Sequence, residues 1–395
     1  MGEEARQPMS VGSLHVEDAR GHGVADVALV IADLGGGGAQ RVATTLAGAW
    51  SEEGRGVTLI TLSGADGDVV PVPPAVRRVA LGLVCASGSL LGGLIANLRR
   101  IGALRRAIIE SGATVVIGFV GATNVITILA GIGLGKRIVV SERNDPTRQS
   151  LGPVWDLLRR LCYPLASQVT ANSRGTLRAL AAYVPEVKLA LTPNPVLAPN
   201  VDPAPHGNGR FMLAVGRLHP QKGFDVLLRA LAKSGAQQHG WRLKVLGNGP
   251  LRQALHDQAD EFGVAKLVDW VGYAPDPYPS YASADAFVLP SRYEGMPNAL
   301  LEAMAMGLPV IVTDACPGPL EYVEHGVSGM VVPVEDPGAL ARAMDRIMGD
   351  GDLAKRLGSE GRRRVLADTA LPRVMAAWNR VLGEGRVTAH EATAP

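Results

Sequence analysis

The chain has 395 residues, 47% hydrophobic and 19% charged, with 48 glycines and a formal net charge of +2. That length is ample for two hydrophobic cores, and the apolar content excludes an intrinsically disordered chain. So small a net charge gives no electrostatic reason to expect a nucleic-acid partner.

Residues 1–24 are polar and carry no apolar core, so they read as a disordered tail rather than a signal peptide. From Asp26 an alternation begins: strand Val27–Ile31, glycine loop Gly35–Gly38, helix Ala39–Glu53, breaker Gly54, strand Val57–Leu62. This β-α-β order predicts a parallel sheet with helices on both faces. It continues through helix Leu91–Ile109, strand Thr114–Val120, turn Gly121–Thr123, helix Asn124–Ala130, strand Arg137–Val140 and helix Arg174–Ala182, ending at Thr192–Pro195. Val79–Leu98 and Ala113–Gly135 lack Asp, Glu, Lys and Arg over the roughly 20 residues a membrane span requires. Glycines and serines interrupt the first, and the second divides into strand, turn and helix as a buried β-α unit does, so neither reads as a membrane span.

The Pro- and Gly-rich stretch Ala198–Gly209 is the expected linker. A second alternation follows: strand Phe211–Val215, helix Phe224–Ala232, strands Trp241–Leu246, Leu267–Val271 and Ala286–Leu289, helix Pro297–Met306, strand Val310–Val312. The predicted fold is α/β, with two doubly wound domains over about 25–197 and 208–370. A helix near 371–383, containing Trp378, is expected to pack back on the first. Ligands of such halves bind at the carboxyl ends of the strands, here in the cleft between them. Cys85, Cys162 and Cys316 lie far apart with no CxxC pair, which excludes a disulfide framework or zinc site and suits a reducing cytoplasm.

Chemistry-bearing residues concentrate in two stretches of the second half. In Glu294-Gly295-Met296-Pro297-Asn298-Ala299-Leu300-Leu301-Glu302, Pro297 suits a helix start. The amides of Asn298, Ala299 and Leu300 would then be unpaired donors at a positive helix end, suited to a diphosphate. Glu294 and Glu302 would bind hydroxyls, although acids near helix starts also occur on ordinary surface helices. In Val215-Gly216-Arg217-Leu218-His219-Pro220-Gln221-Lys222, two cations bracket a loop at a strand end, where Arg forks onto pyrophosphate oxygens and Lys acts as a point charge. Solvated loop charges would look the same.

Together with the turn Gly247-Asn248-Gly249-Pro250 and the strand end Val271-Gly272-Tyr273, these residues follow the order and spacing of family 4 retaining glycosyltransferases, whose signature is E-x7-E. The chain resembles that family from about Asp26 to Gly383, most strongly in the second half. The resemblance implies the GT-B fold, in which two Rossmann-like domains face a central cleft. It implies that Arg217 and Lys222 neutralise the donor diphosphate, that Glu294 touches the transferred sugar beside Gly295, Met296, Pro297 and Asn298, and that Glu302 binds the ribose. Gly216 and Gly247 would lie beside the donor, and Val271–Tyr273 would hold the base. Gly37 and Gly38, ahead of Ala39-Gln40-Arg41-Val42, resemble the family's glycine loop near the phosphates. Ser141-Glu142-Arg143-Asn144-Asp145 resembles a polar motif of some bacterial members, with Arg143 and Asn144 facing donor or acceptor; a plain polar strand exit is the alternative. Many relatives place a histidine at the end of an N-domain strand, where this chain has Gly118-Phe119-Val120-Gly121.

The implied reaction moves a hexosyl residue from a nucleoside-diphosphate sugar, UDP-linked, to a hydroxyl acceptor such as a lipid-linked sugar or polysaccharide precursor. No cofactor is expected, and no Asp-x-Asp pair suggests a metal. Leu91, Leu94, Ile95, Leu98, Ile101 and Ile108 share one helical face, with Arg99, Arg100 and Arg106 off it and Arg105 near its middle. This face could touch anionic lipid at the inner side of the plasma membrane, or simply the core. A nicotinamide dehydrogenase is excluded because Gly35–Arg41 breaks G-x-G-x-x-G and no acid ends the second strand. A P-loop is excluded because Gly133-Leu134-Gly135-Lys136 lacks the glycine spacing and the Ser/Thr. An epimerase of the same fold and a non-catalytic sugar-nucleotide binder stay open.

Overall fold

The computed structural model describes residues 26–83, 90–147, 149–197, 210–315 and 317–383. The expected tail, the linker Ala198–Gly209, Cys85 and Cys316 lie outside the described residues; Cys162 is a free, buried thiol.

Among the described residues, seven parallel strands form the first sheet: β1 (Val27–Ile31), β2 (Val57–Thr61), β3 (Arg77–Ala80), β4 (Val115–Phe119), β5 (Arg137–Glu142), β6 (Gln168–Ala171) and β7 (Leu189–Leu191), in the order β3-β2-β1-β4-β5-β6-β7. Its helices are α1 (Gly38–Glu52), α2 (Leu90–Glu110), α3 (Gly121–Gly131), α4 (Pro153–Cys162) and α5 (Arg174–Leu180). Six parallel strands form the second: β8 (Phe211–Val215), β9 (Arg242–Leu246), β10 (Val268–Gly272), β11 (Ala286–Leu289), β12 (Val310–Thr313) and β13 (Met330–Val332), in the order β10-β9-β8-β11-β12-β13. Its helices are α6 (Phe224–Lys233), α7 (Arg252–Glu261), α8 (Tyr278–Ala282), α9 (Asn298–Ala305), α10 (Pro317–Leu320), α11 (Pro337–Gly349) and α12 (Gly351–Thr369), and α13 (Leu371–Leu382) is the last described helix.

The central strands are apolar throughout because both faces are covered. Along β1, Val27, Leu29 and Ile31 enter one core and Ala28 and Val30 the other. Along β11, Phe287 and Leu289 separate in the same way from Ala286 and Val288. Strand order reverses between β1 and β4 and between β8 and β11, which opens a crevice at the carboxyl end of each sheet.

The elements expected from the sequence do not include strands β3, β6, β7 and β13 or helices α4, α7, α8, α10, α11 and α12. Strands β7 and β13 have three residues each, too short for a period to show, and β3 begins with two arginines at a half-exposed sheet edge. The expected turn Gly121–Thr123 is already the first turn of α3. The uncharged stretch around it is core, and no described helix is long and apolar enough to cross a membrane.

The chain passes between the domains twice. After α12, helix α13 returns to the first sheet, where Val374, Trp378 and Val381 join its core. Trp378 meets Trp50 edge-on, with ring centroids 5.8 Å apart, and Phe119 at 6.1 Å. The two passages lie side by side: the amide of Val196 donates to the carbonyl of Thr369 at 2.9 Å, and Val196 pairs with Ala370.

Candidate active site

On the second domain, β11 runs out through Pro290 and Ser291 to the acid Glu294. That carboxylate is 8% exposed, and its Oε1 accepts from Lys222 Nζ at 2.5 Å and Ser291 Oγ at 2.6 Å. Lys222 closes a 3-10 turn after β8, with its stem lying against Gly216. The two loops are tied by Gln221, whose side chain donates to the Tyr293 carbonyl at 3.0 Å while its own carbonyl accepts from the Arg292 amide at 2.7 Å. The expected phosphate cation and the expected sugar acid are therefore partners. Their ion pair sets a positive charge beside the buried carboxylate, so neither stands alone in a low-dielectric site. Arg217, at the end of β8, is exposed and has no partner among the described residues, so its fork stays available to an anion.

Two helix starts meet across the cleft. Helix α1 begins after Gly37 and α9 after Pro297, neither with a side-chain cap, and the Asn298 side chain donates to the Gly38 carbonyl at 3.0 Å. The amides of Gly38, Ala39, Gln40, Asn298 and Ala299 have no acceptor among the described residues. Two positive helix ends held this close repel each other and favour an anion between them. Two expectations need correction. Pro297 is the cap rather than the first helical residue, and the Leu300 amide is spent on the Pro297 carbonyl at 3.1 Å, tightening the first turn.

Glu302, one turn into α9, is 5% exposed. The Tyr281 hydroxyl donates to its Oε2 at 2.9 Å, and Arg41 Nη1 of α1 reaches its Oε1 from the opposite domain at 3.0 Å. Burial pushes the Glu302 carboxyl above its ordinary range, with Arg41 and the Tyr281 hydrogen bond pulling the other way. Tyr273, half exposed after β10, reaches toward Gly36, where an added Cβ would stand 3.7 Å from the tyrosine ring. Gly247 is obligatory: a Cβ there would lie 1.9 Å from the Gly216 carbonyl oxygen. Gly295 is equally constrained, at 2.5 Å from the Arg143 carbonyl, so the Glu294 loop rests directly on the end of β5.

Arg143 itself is a correction. Its guanidinium points inward instead of facing the cleft, because it is 5% exposed and sits over Phe119 and Trp378 at 5.3 and 5.6 Å. Its Nη1 donates to the Thr192 carbonyl at 3.1 Å and to Asn194 Oδ1 at 2.8 Å, and burial lowers its pKa to about 9. Asn144 stays part-exposed, with its Cα 3.3 Å from a Cβ placed on Gly295. Asn194, which the sequence reading passed over, links the domains: its amide donates to the Met296 carbonyl at 3.0 Å and to Asn298 Oδ1 at 2.5 Å. Arg41 and Tyr281 were also absent from the expected site. The Asn-Pro exit at Thr192–Pro195 and the arginine after the glycine loop were the available signals. Val120, just after β4, is held at φ 69°, a strained conformation for a β-branched residue.

Two Rossmann-like sheets facing each other across a cleft that gathers uncapped helix ends, cations and paired acids define a GT-B glycosyltransferase. Residues 37–195 match the Glycosyl transferase 4-like domain and residues 201–364 match Glycosyl transferases group 1, and the chain belongs to this glycosyltransferase family. It is 26% identical over 360 residues to the GalNAc-alpha-(1->4)-GalNAc-alpha-(1->3)-diNAcBac-PP-undecaprenol alpha-1,4-N-acetyl-D-galactosaminyltransferase of Campylobacter jejuni, covering 91% of this chain and 98% of that one. Two further curated glycosyltransferases, from Rhizobium meliloti and Haemophilus influenzae, match over about half of their own length, and an exopolysaccharide phosphotransferase of Streptomyces coelicolor matches over 21% of its length. Among solved structures, sucrose-phosphate synthase from Thermosynechococcus elongatus superposes with a TM-score of 0.79 at 20% identity, covering 91% of this chain and 98% of that one. Anabaena HepE in complex with UDP and glucose superposes at 0.75 and 18% identity, covering 91% and 100%.

Proposed function

We propose that this glycosyltransferase moves a hexosyl residue from a UDP-linked sugar to a hydroxyl of a lipid-linked saccharide or polysaccharide precursor, with retention of anomeric configuration. The observation that carries the reading is the pair of uncapped helix starts, α1 and α9, held face to face beside the Lys222–Glu294 ion pair. A diphosphate between them meets five unpaired amides and, on the second domain, Arg217 and Lys222. When the bond from the anomeric carbon to the β-phosphate oxygen breaks, the charge left on that oxygen falls where these donors already point. The acceptor oxygen then bonds to the same face of the anomeric carbon, and its proton passes to the departing phosphate. Glu294 orients the sugar hydroxyls and Glu302 the ribose. The positive charge the leaving group needs is supplied by protein groups, so the reaction requires neither a metal nor another cofactor.

The acceptor class follows the activity of the Campylobacter relative, and the exposed surface supports a membrane-side location. On α2, Leu94, Ile95 and Leu98 are exposed beside Arg99; on and just after α4, so are Val154, Leu157, Leu161 and Leu165 beside Arg160. The face expected on α2 is thus split, since Ile108 is core and the side chain of Leu91 lies outside the described residues. Apolar rows with neighbouring arginines suit peripheral contact with anionic lipid at the cytoplasmic face. A panel of labelled UDP- and GDP-sugars, with and without EDTA and with a polyprenyl-linked saccharide acceptor, tests the reading. Transfer from a UDP-sugar that survives EDTA is the expected result, and product stereochemistry by NMR should show retention. Absence of turnover with every donor would overturn it.

A further inference from the structure

Glu302 is a buried carboxylate to which, among the described residues, its own domain offers hydroxyls but no cation. Tyr281 of α8 donates to one oxygen, Tyr278 of the same helix lies near, and Asp276, just before α8, adds a like charge. The compensating charge comes from the other side of the cleft, from Arg41 in the first turn and a half of α1. That guanidinium is 34% exposed while the carboxylate is 7% exposed, so the pair is buried on the second domain and open toward the cleft. The same α1 end is fastened to α9 by the Asn298–Gly38 hydrogen bond, so the ion pair and this bond both span the two domains.

We propose that Arg41 is a positioning residue for nucleotide recognition: from the opposite domain it keeps Glu302 ionised and oriented, and thereby makes ribose binding conditional on domain closure. The proposal rests on the assignment of Glu302 to the ribose. A carboxylate accepts two ribose hydroxyls well only in its charged form. Burial opposes that form, and Arg41 is the nearest cation restoring it. One arginine nitrogen occupies Oε1, which leaves the remaining lone pairs of both oxygens for hydroxyls entering from the cleft. An open protein would present Glu302 without its counter-ion, so it would hold the nucleotide poorly.

The test is calorimetric titration of the full-length protein with UDP, across pH 5 to 8, for the wild type, Arg41→Gln, Arg41→Lys, Glu302→Gln and the double variant. Arg41→Gln should weaken UDP binding about tenfold, and Arg41→Lys should recover part of the loss. The acid-side fall in affinity should shift to higher pH in Arg41→Gln and disappear in Glu302→Gln. In the Glu302→Gln background, the Arg41 substitution should have little further effect. Unchanged or tighter UDP binding in Arg41→Gln, with Glu302→Gln still impaired, would overturn the role of Arg41 alone. Unchanged binding in Glu302→Gln would overturn the ribose assignment beneath it. A thermal melt of each variant separates these outcomes from misfolding.

Discussion

The two site acids have the same chemistry and nearly the same burial, yet they are neutralised differently. Glu294 takes its cation, Lys222, from its own domain, whereas Glu302 takes Arg41 from across the cleft. The first arrangement survives any separation of the domains, and the second does not. A group that must act on the reacting sugar is preorganised within one rigid body, which keeps its reorganisation cost low. A group that recognises the carrier nucleotide can be made to depend on closure, so that binding and closure reinforce each other.

The sharpest way to break this comparison is to change one acid at a time. Glu294→Gln should depress turnover by about a hundredfold to a thousandfold while leaving UDP affinity nearly unchanged. Initial rates beside calorimetry supply both numbers, and equal losses of affinity in the two acid variants would erase the distinction. Glu302→Gln should instead weaken UDP binding by about tenfold to a hundredfold, the cost of a charge-assisted hydrogen bond. Asn194→Ala removes the tie from Arg143 to the Met296 carbonyl and should cost about 1–3 kcal/mol of stability, read by chemical denaturation. The smallest effect is on pH. Because burial raises the Glu302 carboxyl above its ordinary 4.5, the folded state holds that proton more tightly than the unfolded chain. Its stabilising contribution is complete below pH 4.5 and is lost as pH rises through the raised value. Glu302→Gln should abolish that dependence, so thermal melts of the wild type should lose stability as pH rises through this window while those of the variant should not.

The site residues of the second domain were far more legible in the sequence than those of the first, and the reason is local. Glu294, Pro297, Asn298 and Glu302 lie within one loop and one helix, so their spacing alone sets their geometry. Strands β1, β4, β8 and β11 were legible because burial on both faces leaves continuous apolar runs. What escaped was nonlocal. That Lys222 would pair with Glu294, or Arg41 with Glu302, depends on the packing of distant segments. Arg143 was misjudged because a strand exit is polar whether its side chains turn outward or, as here, inward onto Trp378 of the returning helix. Helix α4 was overlooked for the opposite reason: its apolar row faces out, which a core-seeking reading discounts.

That returning helix has a topological consequence. The second sheet is inserted into the first domain, leaving it after β7 and handing the chain back at Ala370, and the two passages are stitched together where Val196 pairs with Ala370. Neither domain can therefore be excised at a single cut: a protein ending before Leu371 would strip Trp378 from between Trp50 and Phe119. Both connections cross at one place, so any tilt of one domain against the other has to be taken up around a single backbone pairing.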